Sequence, residues 1–241
     1  MPDLPAIDPA LRDRLALAID VDDLVVATRL ARELAPWFGV AKVGLELYSA
    51  AGPDAVTTMV ELGFDVFLDL KLHDIPTTVG RAARVLGGLG AAYVNMHAAG
   101  GESMLRAGAD GLREGAASAG VAAPVPLAVT VLTSDRDAGV ERLRERARLA
   151  VASGCGGVVC AAADIDTIRD IGPDLITVVP GVRLPGSDRN DQERAATPGD
   201  ALRAGASLLV IGRTVTAADD RSAAAEAVVR SLGEAAPAPA G

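Results

Sequence analysis

Eight short apolar segments recur along the chain at fairly even spacing, and each has about the length of a β-strand. They are rich in leucine and in the β-branched residues that favour strands. In order they are Leu15–Ile19, Val40–Leu47, Val66–Leu72, Tyr93–His97, Val125–Leu132, Gly157–Ala161, Ile176–Val179 and Leu208–Ile211. Stretches of helical composition separate them, and many end at a glycine, which suits a helix C-cap. The predicted helices are Asp22–Ala35, Asp54–Leu62, Pro76–Leu89, Glu102–Ala117, Arg136–Ala152, Asp164–Ile171, Pro198–Ala204 and Arg221–Leu232.

Eight strands that alternate with eight helices predict a single α/β domain, a (β/α)8 TIM barrel over residues 15–232. The competing architecture is an open doubly wound sheet, which usually carries a glycine-rich fingerprint after its first strand. Here the first strand ends in Ile19-Asp20-Val21-Asp22, so the barrel is favoured. Residues 1–14 are expected to form an N-terminal extension, and residues 233–241 a mobile tail rich in alanine and proline.

Composition restricts the classes of function. With 50% hydrophobic and 23% charged residues, the chain has globular values and not those of a disordered protein. The formal net charge of −9 argues against general binding to nucleic acid or a membrane surface, but it allows a local cationic pocket for a phosphate. The N-terminus shows no signal-peptide pattern and no apolar run is long enough to span a membrane, so a cytoplasmic protein is expected.

Two charged residues of the third predicted strand indicate a functional site. Asp69 and Lys71 are two positions apart, so on a strand they point to the same face, into the mouth of the barrel. Leu68, Leu70 and Leu72 then point the other way, towards the helices. Burying the two charges without partners would cost roughly several kcal/mol each, so they are expected to pair or to act chemically.

Three more charged residues are predicted at the same mouth. Asp20 ends the first strand, Lys42 stands in the otherwise apolar second strand, and Asp74 follows the third strand. With Asp69 and Lys71 they would form a network in which each lysine stays protonated and each aspartate ionised. A structural ion pair between Asp69 and Lys71 alone is the simpler alternative.

The loops after the seventh and eighth strands predict a phosphate site, which is a common use of these loops in (β/α)8 barrels. Arg183 follows Pro180-Gly-Val, and Arg213 follows Ile211-Gly212. Two guanidinium groups suit bidentate phosphate binding, and Gly212 would let the backbone approach the ligand. Either arginine alone could equally be a solvated surface charge.

Four other residues have structural interpretations. Cys155 and Cys160 are too few for a disulfide framework and show no CxxC spacing, so they are expected to be buried, unreactive thiols. Asn95 is expected to support the charges of the third strand. His97 is expected to make structural hydrogen bonds.

The stretch Asp69-Leu-Lys-Leu-His-Asp-Ile-Pro-Thr-Thr78 resembles the DxKxxDIPxT signature of the orotidine 5′-phosphate decarboxylase family. Further matching motifs follow in the family's order: Ala18-Ile-Asp20, Lys42-Val-Gly, Val129-Thr-Val-Leu-Thr-Ser134, Pro180-Gly-Val-Arg183, Asp191-Gln192 and Ile211-Gly-Arg213. DxKxxD alone is shared by sugar-phosphate enzymes of the same superfamily. DIPxT together with PGxR, DQ and IGR is far more specific.

The resemblance implies conversion of orotidine 5′-phosphate into UMP and CO2 in pyrimidine biosynthesis, without a metal or another cofactor. It implies that Lys71 stabilises and then protonates the carbanion formed at C6. Asp69 would lie near the leaving carboxylate, and Asp74 and Lys42 complete the implied catalytic set.

The resemblance also implies a substrate-binding set and a homodimer. The implied substrate-binding residues are Asp20, Lys42, Ile75, Thr78, Thr133, Arg183, Gln192, Gly212 and Arg213. Asp74, Ile75 and Thr78 would reach the active site of the neighbouring subunit. No nucleic acid or membrane partner is implied.

Two other functions stay open on the sequence. A magnesium-dependent sugar-phosphate decarboxylase or aldolase of the same superfamily would need an acidic metal ligand on the second or third strand, and Lys42 stands on the second. A non-catalytic barrel that binds a phosphoribosyl ligand would tolerate the loss of Lys71 while keeping Arg213. The chain contains all three of these basic residues.

Overall fold

A closed barrel of eight parallel strands forms the centre of the computed structural model, which describes residues 7–131, 139–184 and 196–233. Each strand pairs with its neighbours in chain order, and the first strand also pairs with the eighth, which closes the barrel. The strands are β1 Leu15–Ile19, β2 Val40–Gly44, β3 Asp65–Leu72, β4 Tyr93–His97, β5 Val125–Val129, β6 Gly157–Val159, β7 Ile176–Val179 and β8 Leu208–Ile211.

Helices cover the outside of the barrel. They are α1 Pro9–Arg12, α2 Leu24–Leu34, α3 Leu45–Ala51, α4 Pro53–Glu61, α5 Pro76–Gly87, α6 Gly101–Ala119, α7 Val140–Ala152, α8 Ile165–Arg169, α9 Pro198–Ala204, α10 Arg213–Thr216 and α11 Arg221–Gly233. Local signals fix several ends: Asp23 caps α2 by accepting from the Val26 N–H, and Gly120 ends α6 in the left-handed conformation. Within the described part of the chain, no helix is long and apolar enough to cross a membrane.

The strands separate two apolar layers. Along β1, Leu15, Leu17 and Ile19 point outwards into the main core between barrel and helices, while Ala16 and Ala18 point inwards. The interior layer is filled from several strands, with the Phe67 and Tyr93 rings edge to face and their centroids 6.4 Å apart. Because both faces of each strand are covered, most strand residues are buried, as is typical of parallel sheets, while the last four residues of β3 are only partly buried. The interior is therefore packed, and ligands can enter only at its mouth.

Helices α5 and α6 pack with their backbones in direct contact. A Cβ atom added to Gly87 would overlap the carbonyl oxygen of Leu112, and one added to Gly115 would overlap that of Arg84. Glycine is therefore required at both positions by close approach and not by backbone conformation. Since only residues 73–75 separate β3 from α5, this contact also limits where that segment can lie.

The predicted (β/α)8 barrel is confirmed, and the open doubly wound sheet is excluded because β1 pairs with β8. Several predicted bounds were wrong. β2 ends at Gly44, and Leu45–Leu47 open α3 instead of extending the strand. Its pairing with β1 ends at Val43 and its pairing with β3 ends at Gly44.

The strands β5 and β6 are also shorter than predicted and end at Val129 and Val159. Thr130, the residue after β5, donates to the carbonyl of Val159 through both its N–H and its hydroxyl. Residues 132–138, which hold the start of the predicted helix Arg136–Ala152, lie outside the described residues. So does the predicted tail except Gly233, which is the last residue of α11.

Candidate active site

Four charged side chains meet at the mouth of the barrel, at the carboxyl ends of its first three strands. Asp20 follows β1, Lys42 points inwards from β2, and Asp69 and Lys71 point inwards from β3. Lys42 Nζ lies 2.9 Å from Asp20 Oδ1 and 3.4 Å from Asp69 Oδ2. Lys71 Nζ lies 2.6 Å from Asp69 Oδ1. The structure thus brings together four of the five predicted charges as one alternating acid–base array.

The fifth predicted charge, Asp74, does not join the array of its own chain. Its side chain is exposed and accepts a hydrogen bond from the N–H of Ile75 at 2.7 Å. Among the described residues, no lysine or arginine forms an ion pair with it. Ile75 and Thr78 are exposed as well, so this segment faces outwards from the rim of the mouth.

Lys42 and Lys71 are the only two lysines among the 23 lysines and arginines of the sequence. Every other fixed positive side chain is an arginine, whose guanidinium does not release its proton in proteins. A lysine ammonium can donate a proton and can lose it. The chain therefore places both of its lysines, each of which can act as a proton donor, at one site.

A bulge in β3 sets the position of Lys71. Leu68 pairs with Val94 and Leu72 with Met96, so four steps along β3 correspond to two along β4. Bulges of this kind commonly redirect a side chain next to an active site. Within the bulge Lys71 takes a φ of +51°, the only positive φ of a non-glycine residue in the described chain. The simple alternation of a regular strand did not predict this conformation.

Asp69 is held in its ionised form. Burial, the largest single effect, raises the pKa of this carboxyl, but the charges of Lys42 and Lys71 together with its hydrogen bonds outweigh burial and lower it. These hydrogen bonds come from Lys71 and from the Asn95 side chain. The mouth therefore keeps a fixed negative charge directly beside the Lys71 ammonium.

The opposite wall of the same pocket carries the predicted phosphate residues. Arg183 follows β7 and Arg213 follows β8, and both line the pocket together with Gly181 and Gly212. Arg213 also begins the short helix α10, which the sequence did not predict. A Cβ atom on Gly212 would meet only Ala18 Cβ, at 3.5 Å, so the space in front of Gly212 belongs to the pocket.

Apolar residues close the remaining side of the pocket and were not predicted as site residues. They are Val129, Val131, Val159, Cys160 and Pro180. The prediction that both cysteines are buried is confirmed, but Cys160 forms part of this wall. Predicted contacts at Thr133 and Gln192 lie outside the described residues.

Gly44 is another residue of the site, and the sequence alone assigned it no role of its own. A Cβ atom at this position would lie 3.0 Å from Lys42 Nζ and 3.2 Å from Asp20 Oδ1. These distances are shorter than ordinary van der Waals contacts, so a side chain here would press on the Lys42–Asp20 pair. The glycine of the KxG motif leaves room for that pair.

The two histidines of the chain lie side by side, with His73 exposed after β3 and His97 at the end of β4. The His73 and His97 rings have centroids 5.4 Å apart. His97 Nδ1 is buried and has no hydrogen-bond partner among the described residues, so the predicted structural hydrogen bond is absent at this nitrogen. Burial, and then electrostatic interaction with His73, Arg146 and Lys71, lower the pKa of His97. Its surroundings therefore favour the neutral imidazole.

The acidic residues at the mouth are paired with lysines and not with one another. Among the described residues there is no group of three or more His, Cys, Asp or Glu placed to hold a metal ion. What the described arrangement offers is a cation–anion array at one end of a pocket and two guanidinium groups at the other.

Comparison with known proteins identifies the family. A model described as the Orotidine 5'-phosphate decarboxylase / HUMPS family matches residues 13–228. The chain belongs to this family. The resemblance seen in the motifs is thereby confirmed. A protein of Moorella thermoacetica named orotidine 5'-phosphate decarboxylase is 50% identical over 233 residues, which cover 92% of each chain.

Two further members of the Orotidine 5'-phosphate decarboxylase / HUMPS family support the assignment over most of the chain. A protein of the same name from Anaeromyxobacter dehalogenans is 45% identical over 91% of this chain and 98% of its own. The crystal structure of orotidine 5'-phosphate decarboxylase from Lactobacillus acidophilus superposes with a TM-score of 0.77 at 34% identity. The superposition covers 91% of this chain and 99% of the Lactobacillus acidophilus chain.

Proposed function

We propose that this protein decarboxylates orotidine 5′-phosphate to UMP and CO2 in pyrimidine biosynthesis, in the cytoplasm. The observation that carries the proposal is the alternating array of Asp20, Lys42, Asp69 and Lys71 at one end of a pocket whose other end holds two arginines. The names of its close relatives support the reaction. Neither of its two cysteines is in a disulfide, as is usual for a cytoplasmic protein.

The difficult step is the formation of a carbanion at C6 of the pyrimidine, because no adjacent carbonyl can delocalise its charge. In the proposed mechanism the Lys71 ammonium lies beside C6 and stabilises the negative charge as CO2 leaves. The same ammonium then donates its proton to C6. An arginine could supply the charge but not the proton, which explains why this position needs a lysine.

Asp69 orients Lys71 through the 2.6 Å ion pair and holds its own negative charge near the leaving carboxylate. Lys42, between Asp20 and Asp69, keeps Asp69 in place and contacts the ribose, and Asp20 accepts a ribose hydroxyl. Repulsion between Asp69 and the substrate carboxylate would raise the energy of the ground state and be relieved as CO2 departs.

The phosphate and the pyrimidine ring of the substrate fit the two arginines and the apolar wall of the pocket. Arg183 and Arg213, with the backbone at Gly212, bind the phosphate. The apolar wall formed by Val129, Val131, Val159, Cys160 and Pro180 faces the pyrimidine ring. From the family resemblance, Thr133 contacts the base and Gln192 contacts the phosphate or the base. No metal or organic cofactor takes part.

An absorbance assay tests the proposed reaction. Purified protein should remove the ultraviolet absorbance of orotidine 5′-phosphate at the same rate with and without EDTA, and Lys71→Ala should abolish turnover while the fold is kept. Lys71→Arg is the matched variant: it keeps the positive charge but cannot donate the proton to C6, so it should also be inactive. Loss of activity in EDTA would favour the metal-dependent sugar-phosphate alternative. Tight UMP binding without turnover would favour a non-catalytic binder.

A homodimer with shared active sites completes the proposal. Asp74, exposed and outside the array of its own chain, is placed to complete the array of a partner, together with Ile75 and Thr78. Three exposed apolar side chains stand near the starts of α2, α3 and α5, at the end of the barrel where the mouth lies: Val25 is 58% exposed, Leu45 58% and Ile75 66%. In the proposed dimer a partner would cover apolar surface at this end.

Mixing two inactive variants tests the shared site. Lys71→Ala and Asp74→Asn should each be inactive alone. In a mixed dimer, one of the two sites would combine an intact Lys71 with the intact Asp74 of the other chain, so random mixing should restore roughly a quarter of the wild-type activity. A mixture that stays inactive after its subunits have demonstrably exchanged would place Asp74 in the active site of its own chain.

A further inference from the structure

Asn95, in the middle of β4, contacts two parts of the β3 bulge with one buried side chain. Its Nδ2 donates to Asp69 Oδ1 at 2.6 Å, and its Oδ1 accepts from the backbone N–H of Lys71 at 2.7 Å. The residue is 0% exposed and does not line the pocket. Asn95 can therefore influence the reaction only through Asp69 and Lys71.

The backbone of Lys71 needs such a contact. A lysine at a φ of +51° is strained, and strained residues persist only where the surrounding structure holds them. The bulge also removes the Lys71 N–H from the regular pairing between β3 and β4. The side-chain carbonyl of Asn95 supplies the acceptor that the backbone of β4 does not provide.

The two bonds require an amide. A carboxamide has both a donor and an acceptor, whereas an aspartate at neutral pH offers acceptors only and an alanine offers neither. Asp69 needs a donor because it is a carboxylate, and Lys71 N–H needs an acceptor. Asparagine at position 95 meets both requirements in a site that excludes water.

We infer that Asn95 is a positioning residue that orients Asp69 and holds the left-handed backbone of Lys71, so that the lysine ammonium stays at the mouth. The expected effect on turnover rests on the proposed function. The expected effect on the Lys71 backbone does not, and the two can be measured separately.

Two variants separate the two bonds. Asn95→Ala removes both, whereas Asn95→Asp keeps an acceptor for the Lys71 N–H and removes the donor to Asp69. Thr177→Val is the matched control, because Thr177 is a buried polar residue of β7 away from the mouth. The Thr177 hydroxyl donates to the Gly205 carbonyl at 3.2 Å and accepts from the Ser207 N–H at 3.1 Å.

The lysine content of the chain gives a readout that does not depend on activity. Selective 15N labelling of lysine should give two backbone amide signals, from Lys42 and Lys71. In the wild type and in Asn95→Asp, the Lys71 amide should exchange slowly with solvent. In Asn95→Ala its protection should be lost, while the Lys42 amide, which lies in the β2 ladder, stays protected in every variant.

Turnover gives the second readout. Both Asn95 variants should lose about 10- to 100-fold in kcat, the range typical when a group that orients a working side chain is removed. Their affinity for UMP should stay unchanged because the phosphate end is intact. Thr177→Val should lose stability but keep its kcat.

Several outcomes would overturn the inference. It fails if the Lys71 amide stays protected in Asn95→Ala, or if kcat is unchanged in that variant. It also fails if kcat and UMP affinity fall together and the Lys42 amide is disturbed too, since that pattern describes general loss of structure. If Asn95→Ala does not fold, Asn95→Asp decides alone, and full activity in it contradicts the inference. A wild type that does not turn over orotidine 5′-phosphate refutes the proposed function, and the amide signals still test the contact.

Discussion

At the scale of single residues, the ionisation of Asp69 links the site to the stability of the fold. Burial favours the neutral acid, but Lys42 and Lys71, with the hydrogen bonds to Asp69, hold its pKa below the ordinary value of 3.8. A carboxyl whose pKa is lower in the folded than in the unfolded state stabilises the fold when ionised. This contribution is present above the unfolded pKa and is lost as the pH falls through the folded one.

Replacing Asp69 by asparagine should remove this pH-dependent contribution. At neutral pH we expect Asp69→Asn to be less stable than the wild type by about 1–3 kcal/mol, because Lys42 and Lys71 lose their shared counter-charge. Since the wild-type advantage needs the ionised carboxylate, the difference in free energy of unfolding should shrink as the pH falls below 3.8. Urea unfolding of both proteins at a series of pH values measures this difference in free energy of unfolding.

Asp110→Asn is the control for this measurement, because it breaks an exposed ion pair with Arg113 on α6. Such surface pairs contribute only about 0–1 kcal/mol, so the control should stay close to the wild type at neutral pH. If the difference between Asp69→Asn and the wild type is the same at every pH, the ionised carboxylate is not the source of the stabilisation.

The residue scale also shows what a sequence can predict. The spacing of Asp69 and Lys71 correctly predicted that both side chains line the mouth, although a bulge and not regular strand alternation sets the position of Lys71. The left-handed φ of Lys71 and the double contact of Asn95 were beyond reach, since they arise from a bulge between two strands. Gly44 was found as part of a motif, but its reason, the space for Lys42, needed the fold.

At the scale of elements, the contact between α5 and α6 fixes the segment that carries Asp74 and Ile75. This segment leads directly into α5, and α5 lies against α6 with no side chain between them at Gly87. A displacement of α5 would therefore move the segment as well. The outer helices thus help to determine the geometry of the rim.

Neighbouring glycines near the end of α5 provide a matched pair of variants. In Gly87→Ala the new Cβ would overlap the carbonyl oxygen of Leu112, whereas in Gly88→Ala it would lie 3.4 Å from Ala119 Cβ, an ordinary contact. We expect Gly87→Ala to lose about 1–3 kcal/mol through overpacking. Gly88→Ala should be neutral or slightly stabilising. Thermal and urea unfolding compare them, and equal stability of the two variants would contradict the close contact.

The elements were predictable where periodicity and end signals agree. β1, β4, β7, β8 and α9 have the predicted bounds, because each is a short apolar run or a capped segment with clear ends. The segment Leu45–Leu47 was misassigned because it continues the apolar run of β2. Only the barrel decides that point, since the neighbouring strands offer no pairing beyond Gly44.

At the scale of the whole molecule, charge is distributed unevenly. The chain carries a formal net charge of −9, yet both of its lysines and two arginines line one pocket. An acidic exterior disfavours non-specific polyanions, while the local cations suit a small ligand with a phosphate and a carboxylate. This contrast explains why the composition argues against general nucleic-acid binding and still leaves room for a phosphate site.

The rim of the mouth also sets the expected assembly. Ile75 and Val85 lie on the same strand–helix unit and are almost equally exposed, at 66% and 65%. Ile75 stands at the rim, where the proposed dimer forms, and Val85 lies near the far end of α5. We expect Ile75→Asp to dissociate the dimer and lose activity, because a charge would be buried without a partner. Val85→Asp should remain dimeric and active. Sedimentation at matched concentrations measures both, and a dimeric Ile75→Asp, or a monomeric wild type, would remove this rim from the interface.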